Sequence, residues 1–171
     1  MRRLAAFLLL AACVAPPEVE RLSLGDLGIA CGRVEMGREV AQFPPEGRAR
    51  WRIYDTAPGA TGPRAQFVTG FDDGCARQVQ AALVVFGAPR LHETLRYGDG
   101  AGAPWSETDA AYERVKARIC GVGQGTPCPA GRAAAMAGRV AFVTYYDGFD
   151  GAGGRTLLLS DGALVAQSAA P

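Results

Sequence analysis

Residues 156–168 read TLLLSDGALVAQS, and this stretch sets the fold class. Asp161-Gly162 is the dipeptide that a two-residue type I′ hairpin turn asks for, because both central positions need positive φ. Such a turn places Ser160 opposite Ala163 and Leu159 opposite Leu164. Side chains alternate along a strand, so Leu157, Leu159, Leu164 and Ala166 are expected on one face, and Leu158 and Val165 on the other. Apolar residues on both faces imply a sheet covered on both sides, or a contact with another subunit. Just upstream, residues 140–146 (VAFVTYY) carry the β-branched and aromatic residues of a further strand.

Working towards the N-terminus, the period changes. Residues 106–120 begin with Ser106 and Asp109 three positions on, the spacing of a capping box. Tyr112, Val115 and Ile119 then line one face of a helix, with Glu107, Glu113, Arg114, Lys116 and Arg118 around the rest. Pro89 suits the first turn of another helix, running to Tyr97 and closed by Gly98. Before it, Cys75, Val79, Ala82, Leu83 and Phe86 recur at helical spacing, widened by Val84 and Val85. Asp72 or Asp73 is placed to cap that helix and Gly87 to end it. Residues 48–56 alternate: Ala49, Trp51 and Ile53 fall on one side, Arg48, Arg50, Arg52 and Tyr54 on the other. APGATGP is a loop, and residues 65–71 return as a strand with Phe67, Thr69 and Phe71 on one face. The element order is β-β-α-α-α-β-β-β, which predicts an α+β fold with a mainly antiparallel sheet of about five strands and helices packed on it.

The composition is that of a globular chain, 49% apolar and 20% charged. The formal net charge of +1 supplies no field that would recruit nucleic acid. Lys116 is the only lysine among the basic residues and asparagine is absent. That bias looks genomic, so the abundance of arginine is not read as function.

The N-terminus begins MRRLAAFLLLAAC. Arg2 and Arg3 precede a short apolar run, about half the roughly 20 residues a spanning helix needs, and Pro16, Pro17 and Glu18 follow. This is the layout of an export signal. Leu10-Ala11-Ala12-Cys13 resembles the lipobox of bacterial lipoproteins. The resemblance implies a signal peptide at 1–12, removed by cleavage before Cys13, and a diacylglycerol on the Cys13 thiol. Residues 13–27 would then be the lipidated N-terminus and tether, stiffened by Pro16 and Pro17, and residues 28–171 a single domain. Loss of Arg2 and Arg3 takes the net charge from +1 to −1. The implied place is the periplasmic face of a membrane. Val14 stands where many inner-membrane lipoproteins carry Asp, which leans towards the outer membrane.

Five cysteines leave one to explain in an exported chain. Lipidation takes Cys13 out of the count. The other four allow two disulfides and three connectivities. The favoured pairing is Cys120 with Cys128, because GVGQGTP between them bends back easily, leaving Cys31 with Cys75. Each would add about 2–4 kcal/mol. No close pair such as C-x₂-C offers a zinc site.

Candidate sites are few. His92 is the only histidine and the one candidate general base, with Glu93 beside it in sequence but on a different helical face. Arg96, one turn on, would disfavour its imidazolium. Asp147, Asp150 and Asp161 lie in Gly-rich turns and lack the register of a calcium loop, so they are expected as turn residues. Arg48, Arg50 and Arg52 make a basic row, with Arg64 a possible neighbour, suited to phosphate groups of lipid or polysaccharide. GDGAGAP and GVGQGTP lack the strand-to-helix context of a phosphate cradle. The resulting expectation is a lipid-anchored, non-enzymatic envelope protein without cofactor or metal, binding another envelope protein or polymer. A periplasmic hydrolase using His92 is the alternative.

Overall fold

In the computed structural model, which describes residues 22–98, 102–151 and 153–170, the C-terminal hairpin turns where its dipeptide requires. Asp161 and Gly162 take φ of 48° and 83°. The turn joins β8 (Gly154–Ser160) to β9 (Ala163–Ala169), with Ser160 opposite Ala163 and Leu159 opposite Leu164. One residue then slips. A bulge between Leu158 and Leu159 puts Leu158 opposite Ala166. Ala166 therefore joins Leu158's face and not that of Leu157 and Leu159, and Val165 is left exposed. A bulge sets two residues against one, which inverts the facing of everything beyond it.

Strand β7 (Val140–Tyr146) pairs antiparallel with β8. Its other neighbour is β6 (Leu83–Gly87). Between β6 and β7 run three helices, α1 (Pro89–Tyr97), α2 (Glu107–Cys120) and α3 (Ala130–Ala137). The four strands form one sheet in the order β6-β7-β8-β9. A second antiparallel sheet is ordered β1-β5-β4-β3-β2. It contains β1 (Leu27–Ala30), β2 (Arg38–Phe43), β3 (Trp51–Asp55), β4 (Arg64–Thr69) and β5 (Ala76–Ala81). The chain is thus α+β with nine strands among the described residues. It has three layers: sheet on sheet, with helices on the far side of the C-terminal sheet.

The main correction concerns residues 75–86. They form no helix but the end of one sheet and the start of the other, with Ala82 at the crossing. Cys75, Val79 and Phe86 do fit a 3.6-residue period. The same stretch also alternates, with Val79 and Ala81 in the core, and the β-branched Val79, Val84 and Val85 favour strand. Pairing decides between the two periods: β5 is hydrogen-bonded to β4 on one side and β1 on the other. Asp73 caps no helix. Its Oδ1 accepts the Cys75 N–H at 3.0 Å in the β4–β5 turn, and its carboxylate pairs with Arg77. The helices expected at 89–97 and 106–120 form as α1 and α2, the one expected at 75–86 is absent, and α3, β1 and β2 are additional. Since β1 opens at Leu27 and Leu22 packs over Gly28, the folded part begins ahead of residue 28.

Apart from Val165, the large apolar residues on both faces of the C-terminal hairpin are covered within the chain. Leu157 and Leu159, with Ala141, Val143 and Tyr145, meet Trp51, Ile53, Val68 and Val79 of the other sheet. Leu158 and Ala166, with Val140 and Phe142, meet Tyr112, Val115 and Met136 of the helices. On β4, Val68 and not Phe67 faces the inter-sheet core; Phe67 is buried on the outer face. The two expected disulfides, Cys31–Cys75 and Cys120–Cys128, are formed.

Candidate functional site

The densest cluster of chemistry-bearing side chains lies between α1, α2 and the loop that follows α2. Its centre is Lys116. The chain's only lysine is 0% exposed. Its Nζ sits 2.7 Å from Glu113 Oε2 and donates to the Tyr97 hydroxyl, which in turn donates to Glu113 Oε1. Gly125 N–H gives Glu113 a further donor at 3.0 Å. Glu93 accepts from Tyr112 Oη at 2.8 Å and from the Cys128 N–H at 3.1 and 3.2 Å.

Each part is placed by local sequence. The capping box at Ser106 and Asp109 starts α2, and helical spacing puts Tyr112, Glu113 and Lys116 along the side facing α1. On α1, Glu93 and Tyr97 are one turn apart and face back. The Cys120–Cys128 bridge bends the intervening loop so that its N–H groups reach both carboxylates. Burial, then the hydrogen bond donated to a glutamate, pushes Tyr97 and Tyr112 well above the ordinary phenol value of 10.0. Both stay protonated donors. A buried ammonium and carboxylate are tolerated when good geometry and further hydrogen bonds offset their desolvation: here the ammonium meets Glu113 and the Tyr97 hydroxyl, and Glu113 also accepts from Tyr97 and the Gly125 N–H. The cluster is a closed network that locks two helices and a loop together.

This group was missed in the sequence because Glu113 and Lys116 were assigned to the solvent side of an amphipathic helix. The trace that pointed to it is a lone lysine, spaced i, i+4 from Tyr112 and i, i+3 from Glu113, in a chain otherwise using arginine.

His92 lies beside this network. Its ring stacks on Phe142, with centroids 4.2 Å apart and planes at 20°, and meets Tyr112 edge-on. Its Nε2 is 3.3 Å from Asp109 Oδ1 but makes no well-formed hydrogen bond. Asp109 is engaged elsewhere: Oδ2 accepts the Ser106 N–H at 2.9 Å and lies 3.4 Å from Arg96 Nε. Burial pulls His92 below its usual 6.5. Arg96 acts in the same direction, while Asp109, Glu113 and Glu93 oppose it. The histidine therefore folds neutral. The unfolded chain binds the proton more readily, so His92 takes nothing from stability above about pH 6.5 and destabilises progressively as the pH falls below it. His92→Phe keeps a ring on Phe142 and removes the titration. Melting temperatures of the two proteins, measured from pH 7.5 to 5, should converge or cross in the variant's favour on the acid side. Parallel curves would contradict this account.

The arginine row is largely neutralised. Arg50 pairs with Asp72 at 2.6 Å and Arg52 with Glu39 at 2.9 Å. The first pair also roofs the hairpin turn, for a Cβ on Gly162 would lie 2.2 Å from Arg50 Nη2. Arg64 is not part of the row. It turns inward to Asp55, which it grips through Nε and Nη2. Arg48 is exposed. Asp161 sits in the hairpin turn, its carboxyl held below the usual range chiefly by the hydrogen bonds from Arg139. Among the described residues no group of three His, Cys, Asp or Glu comes together as for a metal ion, and no helix is long and apolar enough to cross a membrane. Cys13 and the rest of the lipobox lie outside the described residues. No protein-family model, curated protein or solved structure matches the chain.

Proposed function

We propose that this chain is a lipid-anchored protein of the bacterial envelope. Its domain stands on the periplasmic side of a membrane, with the outer membrane favoured, and it acts by binding an envelope protein or polymer. The observation that carries the reading is Leu10-Ala11-Ala12-Cys13 directly after a two-arginine, short apolar leader. The cysteine pairing supports it. The four cysteines at 31, 75, 120 and 128 are mutually bridged, so Cys13 is the thiol left for acylation. Disulfides persist in the oxidising space such a leader would address.

The site geometry favours binding over turnover. His92 is packed against Phe142, its nearest carboxylate serves the α2 cap, and Glu93 and Glu113 already accept hydrogen bonds from neighbouring groups of the protein. The intact mass of the protein recovered from its own membranes tests the anchor. The expected mass is that of a chain beginning at Cys13 and carrying a diacylglycerol, while Cys13→Ala should retain residues 1–12. An unmodified Cys13 still preceded by Ala12 would overturn the reading.

A further inference from the structure

The end of the molecule where the described chain starts carries features that neither the core nor the buried network uses. A hollow of about 230 Å³ opens there between Leu24, Gly25, Asp147, Gly154, Arg155 and Ala169. It holds two opposite charges that do not pair. Arg155 makes no ion pair among the described residues. Asp147 Oδ1 is buried and accepts no hydrogen bond. A Cβ at Gly25 would lie 3.8 Å from Arg155 Nε and 4.0 Å from Asp147 Oδ1, so both groups border the same space, and the glycine keeps it open.

A buried acceptor without a donor costs on the order of 1–3 kcal/mol, which a ligand bringing a donor would relieve. Asp26 adds a second carboxylate at this end, since it, Asp147 and Arg155 all act on the Tyr145 hydroxyl. That hydroxyl in turn donates to Gly25 O at 3.1 Å. Two carboxylates against one guanidinium disfavour a bare anion. They suit a zwitterion whose ammonium reaches Asp147 and whose anionic oxygens meet the Arg155 fork.

The rim is apolar. Leu24, next to Gly25, is 53% exposed, and Phe149, two residues beyond Asp147 in the same turn, is 59% exposed. The chain outside the described residues says what this end faces. Cys13 is nine residues before Leu22, and nine residues reach at most about 32 Å. A lipid on Cys13 would therefore keep this end within about 32 Å of the bilayer.

We propose that the hollow binds the phosphoethanolamine headgroup of the bilayer to which the chain is tethered, with Leu24 and Phe149 seated in the interface. The bilayer as source rests on the lipid-anchor reading above; the headgroup chemistry does not. A primary ammonium supplies the donor that Asp147 Oδ1 lacks, and a quaternary one does not.

The headgroup test uses the purified mature protein and soluble glycerophosphoethanolamine, followed by NMR or calorimetry. Saturable binding is expected, weaker by about tenfold or more for glycerophosphocholine and for inorganic phosphate. Asp147→Asn and Arg155→Gln should each abolish it with the melting temperature retained. No saturation by the unsubstituted protein, or equal binding of the choline analogue, overturns the proposal without touching the anchor, whose own test is the intact mass. The bilayer arm reconstitutes Phe149→Trp in vesicles of phosphatidylethanolamine and phosphatidylglycerol with brominated acyl chains. Quenching of the new tryptophan, lost on adding Asp147→Asn, is expected. Binding of the soluble headgroup without quenching would overturn the membrane-facing orientation and assign the site to a free zwitterion.

Discussion

Lys116→Met is expected to lower stability by about 3–5 kcal/mol, a fall in melting temperature of roughly 10 °C for a chain of this size. The substitution keeps an unbranched apolar stem only one atom shorter than lysine, so lost packing is a minor part of the cost. What it removes is the ammonium 2.7 Å from Glu113, leaving a carboxylate that is 7% exposed without its counter-charge. Tyr97 and the Gly125 N–H still donate to it, which sets the lower end of the range. The companion variant is Lys116→Met with Glu113→Gln. Removing both charges should recover most of the loss, because a matched neutral pair avoids the desolvation that burdens a single charge. Urea melts of the two single variants and the double check this. If Lys116→Met alone costs less than about 1 kcal/mol, as an exposed pair would, the closed-network account fails.

Breaking the Cys31–Cys75 bridge is expected to cost about 4 kcal/mol. Its cysteines are 44 residues apart, and the denatured chain gains the entropy of a long loop when it is cut. By the same reasoning the Cys120–Cys128 bridge, with a separation of 8, is worth about 2.5 kcal/mol. The two also hold different things. Cys31 follows β1, an edge strand whose one pairing is with β5, so opening the long bridge should speed hydrogen exchange at residues 27–30 before the rest of the sheet. Opening the short bridge frees the loop whose N–H groups serve Glu93 and Glu113. Paired serine variants, Cys31→Ser with Cys75→Ser and Cys120→Ser with Cys128→Ser, separate these effects by denaturant melts and amide exchange. A long-bridge variant as stable as the parent would sink the entropic account. A short-bridge variant that loses more than the long-bridge one would show that the buried network outweighs chain entropy.

The parts of the fold legible in sequence are those specified by neighbours along the chain. Asp161-Gly162 demanded its turn, Ser106 and Asp109 their cap, and Pro89 and Gly98 the two ends of α1, and each element formed there. The cysteine pairing was likewise legible, through a short glycine-rich loop that left one partner for each remaining thiol. The failure at residues 75–86 has a definite cause. Their apolar residues satisfy two periods at once, and only β1 and β4, remote in sequence, select the strand. The bulge at Leu158 is similar, since no residue there announces it.

The candidate sites follow the same division. The sequence alone determined which residue types were present: one histidine, one lysine, a row of arginines, a cysteine at the end of an apolar run. It also determined the local turns and caps, which depend on contacts within about four residues. Only the tertiary structure decided which charges are buried and which meet water. It drew Lys116 and Glu113 inside, neutralised Arg50 and Arg52 with Asp72 and Glu39, and left Asp147 and Arg155 facing one hollow. The reason is that desolvation and charge pairing depend on distance in space, and the partners here lie up to 22 residues apart along the chain.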